Sequence, residues 1–320
     1  MLGLGLSLLT GGALKPYYAV VAAAFKDRVE ADGGTVESMS CLKADLKVLN
    51  PVKPPAFTGL LNDYSGAAAA YSLRLLDNTY TGDAIVVRRA SDNTTQNIGF
   101  VNNELDTASL ESFCSGTDGF VTTWYDQSGN ANNATQATAS SQPKIVSSGS
   151  TILENGKAVV QFDGINDNIK NTAFSLDETI NLSNAIVAKF NSILATQYIY
   201  ASRKVSTNRS AIGIGAANGI LSYQKRTDVI RTKSISVDSS QKLIFTENIT
   251  PELYLNSSSS TGSDGIYNSG SDNSLYIGSN SNNTQYLNAN IQELIFWQID
   301  QSSNQSGIQT NINSHYNIYP

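Results

Sequence analysis

Two aromatic rings, a carboxylate and three polar side chains fall within the seven residues Trp124-Tyr125-Asp126-Gln127-Ser128-Gly129-Asn130. An aromatic face can stack on the C–H side of a sugar while neighbouring polar groups take its hydroxyls. One reading of the stretch is therefore a carbohydrate cradle built from Trp124, Tyr125, Asp126, Gln127 and Asn130. The other is structural. On a strand the two rings alternate, one into the core and one out, Asp and Ser bond the backbone of their own turn, and Gly129 supplies the freedom in φ. A second constellation is Phe162–Asn168, "FDGINDN", with Asp163 and Asp167 on one loop and amides between them. Closely spaced oxygen ligands suit calcium, although a solvated turn uses the same residues. Zinc has too few ligands: His315 is the single histidine, and Cys41 and Cys114 are the two cysteines. Whether those cysteines pair is open, with a reduced pair as the default. His315 reads as a packing or surface residue, and Glu293 and Trp297 share a face if "IQELIFWQI" alternates as a strand.

The elements that must hold these residues come mostly from a β-rich chain. Short runs such as "DAIVVRRA", "GFVTTWYDQ", "KAVVQFDG", "NAIVAKF" and "IQELIFWQI" alternate apolar and polar residues between Gly, Asn and Ser turns, which points to an antiparallel β-sandwich. "GAAAAYSLRLL" fits helix or strand; "SAIGIGA" is a further strand candidate, and "GIGAANG" (Gly213–Gly219), which lies between strands, reads as a turn. "LDTASLESFC" predicts a short helix capped by Asp106 or Thr107. Ile308, Ile312 and Tyr316 recur every four residues, as a closing helix requires. Residues 1–50 differ: "PYYAVVAAAFKDRVEADGG" opens on Pro16 and ends on Gly33-Gly34, and "VESMSCLKADLKVLN" sets Met39, Leu42, Leu46 and Leu49 at helical spacing. They either pack on the next domain or act as an anchoring and oligomerisation segment. A proline-rich linker over 51–58 then leads into a β-domain over 59–320.

Charged residues make up 15 % of the 320 and the net charge is −6, against roughly 25 % charged in an average soluble protein. A surface of Asn, Ser, Thr and Gly suits work outside cells or on particles. No basic face singles out nucleic acid as a partner. The first residues lack the basic start of a secretion signal, and "AVVAAAF" is too short to span a bilayer, so no membrane partner is expected.

"AYSLRLLDNTYTGDAIVVRRASDNTTQNIGF" and "FCSGTDGFVTTWYDQSGNANNATQATASSQPKIV" resemble the start of the catalytic domain of α-L-arabinofuranosidase B enzymes, best over residues 64–146. The resemblance implies a concanavalin-like jelly-roll sandwich, with a short helical N-terminal extension here. "VVQFDGINDNI" and "IQELIFWQ…INSHYNIY" look like laminin-G-like jelly rolls of bacterial surface proteins and phage particles. Retaining glycosidases need two carboxyl groups about 5–5.5 Å apart. The resemblance places one near "GILSYQKR" (219–226) and the other in "YIGSNSNN" (276–283), among Ser279, Asn280 and Ser281. Neither stretch holds an acid, and an amide or hydroxyl cannot replace one; the family's adjacent-cysteine pair is missing too. The expectation is then no catalytic residues, no enzyme, and no cofactor other than calcium. "LGLGLSL" and "FKDRVEADGGTVESMSCL" resemble N-termini of phage structural proteins. The chain accordingly reads as a tailed-bacteriophage virion protein (a fibre, spike or decoration), homo-oligomeric, bound to other virion proteins through residues 1–50 and touching host-surface glycan. The alternatives are a secreted carbohydrate-binding module and an active α-L-arabinofuranosidase.

Overall fold

The chain divides into Met1–Ala56 and Phe57–Pro320. In the computed structural model the described residues are 57–320 apart from 177–180, 194, 205–209, 218–219, 226–229, 235–241, 248–251, 260, 264–273 and 281. The expected N-terminal helices, Cys41 and most of the proline-rich stretch lie outside them.

The fold is mainly β, an antiparallel jelly-roll-like sandwich. One run of strands centres on Asn288–Trp297. Ala67–Ser72 and Val160–Asp163 share one of its edges (Ala70 opposite Ile295, Phe162 opposite Ala289), and Ser183–Phe190 takes the other. Lys242–Glu247 and Glu252–Leu255 extend that side. The second run follows the order Thr95–Ile98, Ile85–Arg89, Gly119–Trp124, Ala134–Thr135, Ile169–Asn171, Ser274–Ile277, Gln197–Lys204, Ser210–Ala217, Ile220–Lys225, Ile230–Ser234. Lys144–Ser147 links the two runs, pairing with both Gln161 and Phe120.

Both faces of Asn288–Trp297 are covered, which explains the unbroken apolar run Leu294–Trp297 that ends it. Leu294 and Phe296 enter the core between the layers with Trp124, Phe162, Ile186 and Tyr200. Ile295 and Trp297 point the opposite way, against Leu60, Phe245 and the closing helix. Tyr200 and Phe296 meet edge to face at 4.9 Å, and each such side chain fully buried contributes roughly 1.5–3 kcal/mol. The closing helix spans Gln305–Tyr316, lays Ile308, Ile312 and Tyr316 on the second cluster, and stops where Asn317 turns left-handed at φ 51°. The short helix is Thr107–Phe113, and Asp106 caps it by accepting from the Ser109 amide at 3.0 Å.

Two locally ambiguous stretches resolve as strands. The alanine run is a strand, Ala67–Ser72, because it is buried almost throughout and small side chains let its neighbours approach. "SAIGIGA" is the strand expected of it: Gly213 and Gly215 of "GIGAANG" alternate with isoleucines inside Ser210–Ala217, paired on both edges, and Asn218 and Gly219 lie outside the described residues. Cys114 is a free, buried cysteine, and burial pushes its thiol up from the ordinary range.

Candidate active site

The aromatic-acid motif turns inward. Trp124 is fully buried, its ring tilted 6.1 Å from that of Tyr71, so it offers no face to a sugar. Asp126 Oδ1 accepts from the amides of Ala70 and Ser128, both at 2.8 Å. Its Oδ2 accepts from the Ser128 hydroxyl (2.7 Å) and the Asn132 amide (2.9 Å). Gln127 accepts from the Leu76 amide and donates to the carbonyls of Ser72 and Arg74. Asn130 is exposed and donates to the Ala67 carbonyl at 3.0 Å; Tyr125 is half-buried. The motif is a clip joining the end of Gly119–Trp124 to Ala67–Ser72 and the chain beyond it. The expected cradle is corrected on that ground: three of its five residues face the interior. Asp126→Ala strips acceptors from several buried donors, and we expect a loss of about 2–3 kcal/mol in urea unfolding.

The Phe162–Asn168 loop is the more chemical of the two. Asp163 is exposed, and its Oδ1 accepts from the amides of Ile165 (2.8 Å), Asn166 (3.2 Å) and Asp167 (3.4 Å). Asp167 is 6 % exposed, and its Oδ2 accepts from the Asp163 amide at 3.0 Å. Calcium would need six or more oxygens. These carboxylates instead bind their own loop's amides, and no group of three or more His, Cys, Asp or Glu suited to a metal occurs among the described residues. Burial first, and then the neighbouring Asp163 charge, push the Asp167 carboxyl up to about 7. Both aspartates line a cleft of about 370 Å³ with Phe120, Ser140, Gln142, Lys144 and Gln161. The Phe120 ring carries Arg88 at 4.9 Å and Lys144 at 5.5 Å from its centroid. A buried acid that keeps its proton near neutrality, beside an exposed carboxylate, is an arrangement able to deliver a proton.

The stretches where the resemblance looks for acids hold none. Ser279 is buried and donates to Asn283 Oδ1; Asn280 donates to Thr284 and Gln285. Gly219, Arg226 and Ser281 lie outside the described residues. Asp167 is nevertheless a spatial neighbour of this turn. Ile169 pairs with Ile277, so continuing the register by two residues sets Asp167 opposite Ser279. A Cβ on Gly278 would come within 3.3 Å of the Asp167 carbonyl. Sequence reading took Asp167 for a metal ligand and had no access to this register.

Glu293 was legible only as a strand residue sharing a face with Trp297. It is fully buried and receives Arg74 Nε (2.8 Å), Arg74 Nη2 (3.0 Å), the Ser72 hydroxyl (2.9 Å) and the Tyr316 hydroxyl (3.1 Å). Burial alone would raise its carboxyl, but the Arg74 guanidinium holds it below the usual range. Its closed coordination makes it a structural anchor.

Fold and cleft together describe an antiparallel β-sandwich with a paired-carboxylate cleft, and comparison with known proteins narrows this. Residues 63–166 match the family described as "Alpha-L-arabinofuranosidase B, catalytic". A probable alpha-L-arabinofuranosidase B of Aspergillus terreus is 42 % identical over 72 residues, covering 22 % of this chain and 14 % of that protein. The alpha-L-arabinofuranosidase B of Emericella nidulans is 40 % identical over a stretch of the same length. Among solved structures, an arabinofuranosidase complexed with arabinofuranosyl-alpha-1,2-xylobiose superposes with a TM-score of 0.57 at 17 % identity, over 77 % of this chain and 62 % of that one. A GH54 a-l-arabinofuranosidase soaked with a cyclic sulfate inhibitor gives 0.58 at 18 % identity over the same shares. The chain thus spans 14 % of the curated relatives' length and 62 % of the solved chains; the structures testify to the fold, and the sequence likeness resides in residues 63–166.

These findings overturn three expectations. The matches are glycosidases and their catalytic domains, not virion or laminin-G-like proteins, so the phage structural reading and its particle location fall. The expectation of a non-enzyme falls with them.

Proposed function

We propose that this chain is a glycoside hydrolase acting on α-L-arabinofuranosides, with Asp167 as its proton donor. The family match over residues 63–166 supports the reaction class, and the observation that carries the residue assignment is the Asp167 carboxyl, pushed up to about 7 beside Asp163 in an open cleft. Departure of the aglycone leaves an alkoxide unless its oxygen is protonated as the C–O bond breaks, and an acid still protonated near neutral pH does this best. Asp167 gives that proton. Asp163 is the second carboxylate, and its Oδ2 accepts none of the loop amides that bind Oδ1. It either activates water or attacks the anomeric carbon, according to the carboxyl separation. Ser140 and Gln161 supply hydroxyl partners, while the Phe120 ring, with Arg88 and Lys144 against it, shapes one wall of the cleft. The test is release of nitrophenol from 4-nitrophenyl α-L-arabinofuranoside across the pH range. Turnover that declines as pH rises through about 7 is expected; absence of turnover at every pH refutes the proposal.

A further inference from the structure

A second cavity, of about 220 Å³, shares no lining residue with the aspartate cleft. It is walled by Arg74, Glu104, Glu111, Thr151, Lys157 and His315, with the half-exposed Leu153 at its side. Among the described residues two of its buried polar atoms lack a hydrogen-bond partner: Thr151 Oγ1 and His315 Nε2. Thr151 is only 8 % exposed. Its amide donates to Glu111 Oε1 at 3.0 Å, while its hydroxyl, beside the same carboxylate, makes no bond of good geometry. His315 Nε2 lies 3.6 Å from Glu104 Oε1, beyond hydrogen-bond reach. Buried polar atoms are nearly always paired, so two such atoms facing one cavity are open to a partner that enters it.

The lining also selects the chemistry of that partner. Glu104 is neutralised by Lys157 at 2.6 Å, and Arg74 by the buried Glu293 behind it. Burial, with Arg74 next, pulls the imidazole down to about 4, so it is neutral at physiological pH. Glu111 is already held by the Thr151 amide. No uncompensated positive charge is left for an anion. A neutral imidazole presents either a donor or an acceptor at Nε2, depending on tautomer, and a threonine hydroxyl presents both. A hydroxyl on the ligand, which donates and accepts at one atom, satisfies each case. The volume lies below the roughly 300–1,000 Å³ of sites for drug-sized ligands, and Leu153 offers an apolar wall.

We infer that this cavity is a binding site for a small neutral polyol of monosaccharide size, recognised by Thr151 and His315. The inference stands apart from the glycosidase proposal, because it uses none of the cleft residues.

His315 is the single histidine of the chain, so its imidazole signals in an NMR spectrum of the full chain need no assignment by mutation. L-Arabinose is the probe, with ribose 5-phosphate as the charged comparison. Saturable shifts of the His315 ring with arabinose and none with the phosphate ester are expected. Asp167→Asn should leave the binding intact, whereas Thr151→Val should weaken it about tenfold, the scale of one lost hydrogen bond, with arabinoside turnover unchanged. Thr151→Ser, which keeps the hydroxyl, should retain it. Absence of saturation in the unmodified chain overturns the site, as does equal affinity in Thr151→Val or binding of the phosphate ester at least as tight as that of arabinose. Absence of arabinoside turnover in the unmodified chain would refute only the glycosidase reading.

Discussion

Asp167→Asn is expected to abolish arabinoside turnover and, at alkaline pH, to make the protein more stable. The catalytic loss follows from removing the proton donor, which contributes typically 10²–10⁴-fold. The gain in stability follows from linkage. The folded-state carboxyl sits at about 7 against an ordinary 3.8, so between those values the folded protein holds a proton that the unfolded chain has released. Stability therefore falls as pH rises across that window and stays low above it. A shift of this size corresponds to at most about 4 kcal/mol, at 1.36 kcal/mol per pH unit, and relaxation of the loop will lower the realised figure. Asparagine keeps an acceptor for the Asp163 amide and carries no charge to bury. Urea midpoints for Asp167→Asn should exceed those of the unmodified chain well above pH 7 and converge with them below 3.8. Full turnover in the variant would remove Asp167 from the mechanism. A stability difference that is constant with pH would remove its raised pKa.

What the sequence made legible was whatever depends on near neighbours in the chain. Alternation marked most of the strands, Asp106 marked its helix, and the spacing of Ile308, Ile312 and Tyr316 marked the closing helix with the face it buries. Orientation was less accessible. Whether Trp124 faces a sugar or the core depends on Tyr71 and Ser72, brought alongside only by the fold. Alternation in "SAIGIGA" suggested a strand while "GIGAANG" suggested a turn, and it is pairing on both edges that carries the strand through Gly213 and Gly215. The candidate acid was hidden for the same reason. Empty positions among Ser279 and Asn280 argued against an enzyme so long as the acid had to come from that strand. The Ile169–Ile277 register, continued by two residues, sets the backbone of an acidic residue, Asp167, beside that turn. The family likeness, concentrated in residues 63–166, was legible in "YDQSGN", although the structure gives those residues the task of clipping strands together.

The largest effect on stability is expected at the Arg74–Glu293 pair. Glu293 is fully buried, and Arg74 forms two bonds to it at 2.8 and 3.0 Å while Nη1 reaches Asn311 on the closing helix. The Tyr316 hydroxyl completes the cluster, and the guanidinium lies 5.5 Å from the Tyr316 ring centroid. Arg74→Met leaves a buried carboxylate without its counter-charge, which costs about 3–5 kcal/mol. The pH dependence should then change sign. In the unmodified chain the Glu293 carboxyl is depressed below its ordinary 4.5; its contribution is present above that value and disappears as pH falls through the folded-state pKa. Without Arg74, burial is the dominant influence and raises the carboxyl, so the variant should lose stability as pH rises through the raised value. Replacing both partners, as in Arg74→Met with Glu293→Met, removes the uncompensated charge and should recover most of the loss. Urea unfolding of the three proteins at several pH values reads all of this. A double variant as unstable as Arg74→Met would mean that the closing helix depends on the hydrogen bonds to Ser72, Asn311 and Tyr316, and that the buried charge is incidental.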